Sequence, residues 1–366
     1  MSSVWLPCGD YHQNYEKDQG WWQSTFIKIK MILLLLVIFA GIPLLLPGYY
    51  VSVATMVGYT TMGALGVQLL IGYTGLVTLG HAAFIAVGAY TSTLLVLQFP
   101  WPRFFTDYGL AYPISILVAA IVAGLWSVLF GLPCAKVKGF YLILTTMAAQ
   151  FITVDFILTQ YVSQIGGRGQ AFSLPPGTIR MGPWVIDSDV KIYYVMAVLA
   201  TLMVIVFANL LRSKPGRAWV AIRDNDIAAE ALGINIVWYK LLAFFVAGFF
   251  AGIAGAFWVS NTAALSPEHF PWFWSLWLVG VILIGGVGSI HGAIFGSVFM
   301  VLVMEGLQWM VIPLSVYYPK LLMDFAYIKD SAFGLAICAF LIYEPNGLSY
   351  RWWQIKNYFN LWPFSY

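Results

Sequence analysis

The sequence predicts an all-α polytopic membrane protein with about ten transmembrane segments, some of them short or broken where glycine is frequent. Hydrophobic residues make up 61% of its 366 residues and charged residues only 9%, whereas an average soluble domain has roughly 45–50% apolar and 25% charged residues. The apolar residues also form continuous runs, most of which approach the roughly 20 residues that a helix needs to cross a bilayer. These two observations exclude a soluble domain.

Ten apolar runs, each bounded by glycine, proline or charge, carry this prediction. They lie near residues 31–46, 50–71, 76–97, 113–133, 140–160, 192–211, 241–260, 272–284, 290–312 and 325–343. The run near 272–284 is the shortest and is a candidate half-helix or re-entrant segment, and the glycine-rich start of the third run is a candidate for unwound backbone. The chain accordingly divides into a polar and interfacial N-terminal extension over residues 1–30, a transmembrane domain over 31–345 and a C-terminal cytoplasmic tail over 346–366.

Lysines and arginines set the predicted orientation, because short cytoplasmic loops carry an excess of them. With both termini in the cytoplasm, about 12 of the 18 lysines and arginines face the cytoplasm and the others face outward. The proline- and glycine-rich stretch from Ser163 to Asp189 is then the largest external loop, and its Gly166, Gly167 and Arg168 are a candidate substrate vestibule. The basic residues are scattered over several loops, so nucleic acid is not an expected partner.

One charged segment interrupts the apolar sequence and predicts a structured cytoplasmic loop over about residues 212–240. Asn225 or Asp226 is placed to cap a short helix, the alanine-rich residues that follow favour it, and Gly233 ends it in the left-handed conformation. An apolar stripe on this helix would consist of Ile227, Ala231 and Ile234. Such a stripe needs a covering partner, so the loop is predicted to dock a soluble protein at the membrane face. The alternative is an ordinary solvated loop.

Two glycine-rich stretches are the other unusual feature of the sequence. One contains Gly72, Gly75, Gly80 and His81, and the other contains Gly285, Gly286 and Gly288. Such stretches allow close helix approach and unwound backbone whose polar groups can meet a solute, so we expect both to flank a translocation pathway. The alternative is helix packing alone, as in the GxxxG pairs Gly248/Gly252 and Gly292/Gly296. His81 is interpreted as a packing or backbone-bonded histidine.

The sequence carries no recognisable catalytic motif. A Walker A pattern, a His-Glu-x-x-His zinc helix and a Gly-x-Ser-x-Gly elbow are all absent, so we expect this chain to bind no cofactor and no metal and to hydrolyse no nucleotide. The acids that fall within predicted spans lie near span ends, whereas proton-coupled carriers place theirs deeper. They are Asp155, Glu305, Asp324 and Asp330. A secondary carrier and a non-transporting membrane scaffold are therefore the less favoured alternatives.

Five segments together resemble the branched-chain (hydrophobic) amino acid ABC importer permease family, and within it the M-type of its two permeases. These segments are Gly75–Phe84, Gly216–Ile234, Lys240–Phe244, Gly285–Gly292 and Glu344–Leu348. The resemblance extends from about residue 50 to residue 348. The combination of segments is specific to the family, although no single segment is.

The resemblance implies a non-enzymatic transmembrane subunit in a bacterial inner membrane, which moves a branched-chain or other hydrophobic amino acid inward. It implies four kinds of contact: a second related permease, two cytoplasmic ATPases that bind ATP, a periplasmic binding protein and the bilayer. The coupling loop toward the ATPases would be formed by Arg217, Arg223, Asp226, Glu230 and Gly233. Relatives with the same motifs handle urea, short amides or aromatic carboxylates, which stay open as alternative substrates. Arg168, in the external turn, departs from the family pattern.

Overall fold

A computed structural model describes residues 25–102, 104–105, 108–137, 139–162, 172–173, 180–182, 184–315, 320 and 324–361 of the chain. Within these residues nine helical stretches are long and apolar enough to cross a membrane, and the helix His81–Leu97 is apolar but shorter. These ten segments match the sequence prediction in number and in order. The prediction of an all-helical polytopic membrane protein is confirmed.

The helices are numbered here in chain order. They are α1 (Thr25–Leu36), α2 (Ile42–Leu45), α3 (Gly48–Val67), α4 (His81–Leu97), α5 (Ala111–Lys136), α6 (Phe140–Phe151), α7 (Asp189–Arg212), α8 (Lys214–Asp224), α9 (Asp226–Ala231), α10 (Ile236–Thr262), α11 (Trp272–Gly285), α12 (Ile290–Ser315), α13 (Phe325–Tyr343) and α14 (Leu348–Leu361). Three of these continue as π-helical turns, over Val37–Gly41 between α1 and α2, Gln68–Tyr73 after α3, and Ile152–Val162 after α6.

Helix α10 is the centre of the fold and packs against α3, α4 and α5. Small residues make this packing close: a Cβ atom on Gly252 would lie 2.8 Å from the Ala119 carbonyl oxygen of α5. The same glycine faces Gly88 of α4 on its other side. Close backbone packing of this kind stabilises helix association in lipid, because burial of apolar surface contributes little there. The GxxxG pair Gly248/Gly252 thus serves packing, as its spacing indicates.

The eighth segment differs from the sequence expectation. Helix α11 is preceded by a 3-10 turn over Pro267–His269, and together they make a stretch of 19 residues. This length is sufficient for a full crossing, so the shortness of the apolar run reflects the histidine and glutamate at its start rather than a half-helix. The interrupted segment is instead the third, where α4 begins only at His81.

Two pairs of very short antiparallel strands lie outside the helices. Strand β1 (Phe172–Ser173) pairs with β4 (Ala264–Leu265), and β2 (Arg180–Met181) pairs with β3 (Trp184–Val185). The β4 strand follows the end of α10, whereas the charged segment precedes its start. Because α10 has 27 residues, the two lie about 40 Å apart along the helix axis. The strands and the charged segment therefore mark opposite faces of the membrane domain.

Candidate functional site

The charged segment folds into two helices, α8 and α9, rather than the single short helix that its sequence predicts. The side chain of Asn225 accepts a hydrogen bond from the Ala228 backbone N–H at 3.1 Å and so caps α9. Of the two predicted capping residues, Asn225 is therefore the one that acts. Gly233 has φ +83° and ends the helix in the left-handed region, as predicted.

Helix α8 is anchored to the membrane domain by its buried face. The Trp219 side chain is fully buried, and its ring N–H donates to the Tyr239 carbonyl oxygen at 2.8 Å. Arg217 donates to the Arg212 carbonyl oxygen at 2.9 Å, at the end of α7. These contacts join α7, α8 and α10, so α8 cannot shift without moving the helices on either side of it.

Helix α9 and the turn after it present an apolar surface to solvent. Ile227 is 73% exposed and Leu232 is 81% exposed. Glu230 and Gly233 are exposed beside them. The sequence predicts that a soluble protein docks on an apolar surface of this loop, and these two side chains supply exposed apolar area there. Leu232 was not predicted as part of the apolar stripe, because the sequence pattern assigned it only as a helix former.

The third membrane segment is interrupted inside the bilayer. After the π-helical turn and Thr74, residues 75–80 are not helical, and Gly75 has φ +73°. Hydroxyl groups of other helices accept hydrogen bonds at this break: the Leu79 N–H donates to Thr146 Oγ1 at 3.1 Å, and the Ala82 N–H, in the first turn of α4, donates to Ser275 Oγ at 2.8 Å. Non-helical backbone at membrane depth requires such partners, because lipid supplies none.

His81 is the first residue of α4 and shows how deep this helix starts. Its ring is fully buried, and a Cβ atom on Gly66 would lie 2.7 Å from it. Gly66 lies seven residues before Tyr73, which corresponds to about 10 Å along the helix. Helix α4 therefore begins below the membrane face, and His81 packs between α3 and α10.

The second glycine-rich stretch forms a turn that contacts the π-helical end of α3, in the second membrane segment. Gly286 has φ +116° and Gly288 has φ +80°. The side-chain amide of Gln68 donates to the Gly286 carbonyl oxygen at 3.1 Å and to the Ser289 carbonyl oxygen at 2.8 Å. A Cβ atom on Gly72 would lie 2.7 Å from the Gly288 nitrogen. Only glycine permits this approach of the two backbones.

Arg223, in the last turn of α8, joins the charged segment to both glycine stretches. Its guanidinium group donates to the Gly72 carbonyl oxygen. A Cβ atom on Gly288 would lie 2.8 Å from Arg223 Nη1, and one on Gly75 would lie 3.4 Å from Arg223 Cγ. We call the meeting point of Gln68, Gly72, Gly75, Arg223 and Gly288 the junction.

The start of the C-terminal tail packs against the glycine turn between α11 and α12, next to the junction. Gly347 has φ +73°, and a Cβ atom on it would lie 2.6 Å from Gly286. The Glu344 carboxylate pairs with Arg351 and so holds the start of α14 against this turn. The ends of α3, α8, α11 and α13 thus meet at one face of the membrane domain, as the alternating topology requires.

The structure brings some of the predicted site residues together and separates others. Arg223 contacts Gly72, Gly75 and Gly288, and the adjacent turn contains Gly285 and Gly286. Gly80 and His81 lie deeper in the membrane, while Arg217, Asp226, Glu230 and Gly233 belong to the loop that projects from it. The candidate vestibule residues Gly166, Gly167 and Arg168 lie outside the described residues.

Gln68 is the residue of the junction that sequence reasoning missed. An amide in the middle of an apolar run is unusual, because its polar atoms need partners inside the membrane. That signal was present in the sequence, but its partners are more than 200 residues away and only the fold reveals them. Within the part of the chain that the structure describes, no group of acidic, histidine or cysteine residues is suited to hold a metal ion.

Comparison with known proteins identifies the family. The model of the family described as "Branched-chain amino acid transport system / permease component" matches residues 49–326. The chain is 28% identical to the high-affinity branched-chain amino acid transport system permease protein LivM of Salmonella typhimurium, over 89% of this chain and 76% of that protein. It is 24% identical to a probable branched-chain amino acid transport permease protein LivM of Methanocaldococcus jannaschii, over 78% and 88% of the two chains.

Two further relatives match more weakly. The permease protein LivH of Salmonella typhimurium is 22% identical over 65% of this chain and 78% of its own length. The xylose transport system permease protein XylH of Escherichia coli is 34% identical, but over only 28% of this chain and 27% of its own. No solved structure matches the chain. Since the family model covers most of the sequence, the chain is a multi-pass membrane protein that belongs to the branched-chain amino acid transport permease family.

Proposed function

We propose that this chain is a transmembrane permease subunit of an ABC importer, which moves a branched-chain or other hydrophobic amino acid inward with ATP hydrolysed on partner subunits. The observation that carries the proposal is the contact of Arg223 with Gly72. It connects a loop that projects into water to the end of the second span, directly before the non-helical start of the third. The names of the LivM relatives, which are branched-chain amino acid permeases, support the substrate class.

In this proposal α8 and α9 are the coupling loop, and Arg217, Arg223, Asp226, Glu230 and Gly233 form the surface that docks an ATPase. Exposed Ile227 and Leu232 supply the apolar part of that contact. Because α8 is fixed to α7 and α10 by Trp219 and Arg217, a push on the loop moves these helices as one body. ATP is bound and hydrolysed by the ATPase, and this chain supplies only the mechanical connection.

The translocation pathway is proposed to run beside the two glycine stretches, from Gly72 to His81 and from Gly285 to Gly288. Their non-helical backbone is held by single hydroxyl and amide groups, such as Thr146, Ser275 and Gln68. A few such hydrogen bonds can be exchanged when the coupling loop moves, whereas a continuous helix would have to break many. Gly166, Gly167 and Arg168 remain the proposed vestibule on the outer face.

The proposed assembly contains a second related permease, two ATPases and a periplasmic binding protein in a bacterial inner membrane. LivM and LivH of Salmonella typhimurium are separately named permease proteins and both are similar to this chain, which supports a pair of related permeases. The first span and α13 are also largely uncovered by the rest of the chain, since none of the residues of the first span and few of those in α13 are buried. These faces are available to lipid and to the second permease.

The test is reconstitution with and without partners. The chain alone, in liposomes with an imposed proton or sodium gradient, is expected to accumulate no leucine, because a conformational cycle needs a partner that binds its states differently. Addition of the second permease, both ATPases, the binding protein and ATP is expected to give leucine uptake, and urea and benzoate report on the alternative substrates. Gradient-driven accumulation by the isolated chain would instead establish a secondary carrier.

A helix-cap variant tests the coupling loop. Asn225→Ala removes the cap of α9, and loss of a cap costs about 1 kcal/mol. We expect uptake by the complete assembly to fall severalfold while the variant still inserts and assembles. Asn235→Ala is the matched control, because Asn235 caps α10 through the Trp238 N–H at 3.0 Å and lies outside the docking surface. Equal uptake by the two variants would contradict the role of α9.

A further inference from the structure

We propose that one exposed face of α6 packs against the second permease inside the membrane, and that Asp155 on this face binds a positively charged or hydrogen-bond-donating side chain of that partner. The face is a stripe of exposed residues, which we call the α6 stripe: Tyr141, Leu144, Ala148, Phe151, Asp155 and Thr159. The inference rests on the proposed function for the existence of a second permease, but it does not depend on the transported solute or on ATP.

The α6 stripe follows a whole membrane crossing. Its members recur every three or four residues, which places them on one side of a helix. Helix α6 and the π-helical turns after it form a span over Phe140–Tyr161. Asp155 lies 15 residues after the start of α6, which corresponds to about 20 Å, whereas the hydrocarbon layer is about 30 Å thick. The Asp155 side chain therefore lies at membrane depth.

The opposite side of α6 is fixed to the rest of the chain. The Gln150 side-chain amide donates to the Phe270 carbonyl oxygen at 3.0 Å, just before α11. The Trp126 ring N–H of α5 donates to Thr153 Oγ1 at 3.1 Å. These contacts set the rotation of the span about its own axis. Asp155 therefore cannot turn inward to find a partner in its own chain.

The Asp155 carboxylate is exposed, and none of the residues that the structure describes donates a hydrogen bond to it or pairs with it. A carboxylate that faces lipid is costly, so ionisable groups in spanning helices face protein or water. The neighbouring helix α5 shows a lipid-facing surface of this chain. Its exposed stripe is wholly apolar and consists of Leu117, Ile121, Leu125, Leu129 and Leu132. The α6 stripe departs from this pattern, which favours another protein as its cover.

The partner must itself cross the membrane. A soluble ATPase or binding protein meets a permease at the membrane faces, so neither reaches a group about 20 Å from the cytoplasmic end of a helix. In the proposed assembly the second permease is the protein that spans the bilayer. An aspartate at this depth favours a cation or a hydrogen-bond donor opposite it, and such polar contacts hold helices together in lipid.

The backbone around Asp155 is also unusual. From Ile152 to Val162 the span is π-helical rather than α-helical. Turns of this kind are rare and are frequent at functional sites. The irregular backbone and the exposed carboxylate thus coincide on the same part of the α6 stripe.

Photo-cross-linking of the full chain, co-expressed with the second permease, tests which helix faces the partner. Phe151 is replaced by the photoreactive residue p-benzoylphenylalanine, and the matched control carries it at Leu125 in the stripe of α5. Phe151 is 42% exposed and Leu125 is 60% exposed, so the control is at least as accessible. We expect a product of the two permeases from position 151 and none from position 125. Equal products from both positions, or a product of two copies of this chain, would overturn the proposal.

Removal of the carboxylate tests the role of Asp155 itself. Asp155→Leu should lower the amount of second permease that copurifies in detergent about fivefold, the strength of a polar contact between membrane helices. Asp155→Asn keeps a hydrogen-bonding oxygen and should lose less. Asp187→Leu is the matched control, because it removes an exposed carboxylate outside the membrane, before α7. Copurification by Asp155→Leu at the level of this control would contradict the contact.

Asp155→Cys distinguishes a protein interface from a water-filled route. We expect its thiol to resist a membrane-impermeant thiol reagent in the complete assembly. Labelling above the wild-type level would assign the α6 stripe to a route open to water and overturn the proposal. Leucine uptake is a separate readout. A permease pair that cross-links through position 151 but transports nothing would contradict the proposed function alone, whereas a pair that transports leucine without this cross-link would overturn the present inference alone.

Discussion

Gly72→Leu is expected to abolish uptake by the complete assembly. The first side-chain atom would lie 2.7 Å from the Gly288 nitrogen and 3.1 Å from Gln68 Cδ, so the end of the second segment must move away from the glycine turn. This movement separates Arg223 from the Gly72 carbonyl oxygen. Overpacking of this kind costs about 1–3 kcal/mol, which a chain of this size can tolerate. The measurement is leucine uptake into proteoliposomes, with assembly followed by size-exclusion chromatography.

Two glycines in membrane helices provide matched controls for that result. A Cβ atom on Gly306 of α12 or on Gly334 of α13 would meet nothing within 4 Å. Leucine at either position adds the same apolar bulk to a spanning helix without touching the junction. We expect both controls to transport at the wild-type rate. Wild-type uptake by Gly72→Leu would show that the junction is not coupled to the pathway.

Gly233→Val is expected to uncouple ATP hydrolysis from uptake. Gly233 has φ +83° and open space around it, so a side chain there meets no neighbour and only the backbone conformation resists it. A residue other than glycine in the left-handed region costs about 1–2 kcal/mol. The turn after α9 would then reorganise and displace Leu232, which is 81% exposed on the docking surface. We expect the variant to insert normally, with uptake reduced at least severalfold relative to ATP hydrolysed.

Gly139→Val is the control for this backbone effect. Gly139 has φ +64°, also with nothing within 4 Å, in the connection between α5 and α6. Gly139 has ψ −133°, outside the left-handed helical region, so valine there is at least as strained as in Gly233→Val, in a loop on the same side of the membrane. We expect coupling to be lost only in Gly233→Val. The same ratio of uptake to hydrolysis in both variants would mean that strain alone explains the defect.

The number and order of the spans could be predicted because each depends on local composition. Runs of apolar residues, interrupted by charge or proline, are sufficient to place helices in lipid. The left-handed end of α9 at Gly233 was also predictable, since glycine supplies it locally. Helix α8 of the charged segment was not expected. It is stabilised by burial of Trp219, whose ring N–H donates to the Tyr239 carbonyl oxygen near the start of α10, a contact that exists only in the folded chain.

Only part of the junction could be predicted from the sequence. Glycine at 72 and 288 indicates that something approaches closely, but not that the two approach each other. The identity of the neighbour depends on the relative placement of α3, α8 and α12. Helices α3 and α8 are separated by more than 140 residues in the chain, and α8 and α12 by more than 60. Arg223 was predicted as an ATPase contact, and its guanidinium also donates to the Gly72 carbonyl oxygen, a contact that the sequence did not indicate.

The interrupted third segment has a consequence for how the protein enters the membrane during synthesis. Two of its backbone N–H groups donate to Thr146 of α6 and Ser275 of α11, which are translated about 65 and 190 residues later. Until those helices arrive, a 17-residue helix with an unwound start has no stable place in lipid. We therefore expect α4 to stay beside the insertion machinery, or in contact with its water-filled interior, until synthesis has passed α11. Nascent chains that end before α11 should leave the segment accessible to aqueous reagents, whereas longer chains should protect it.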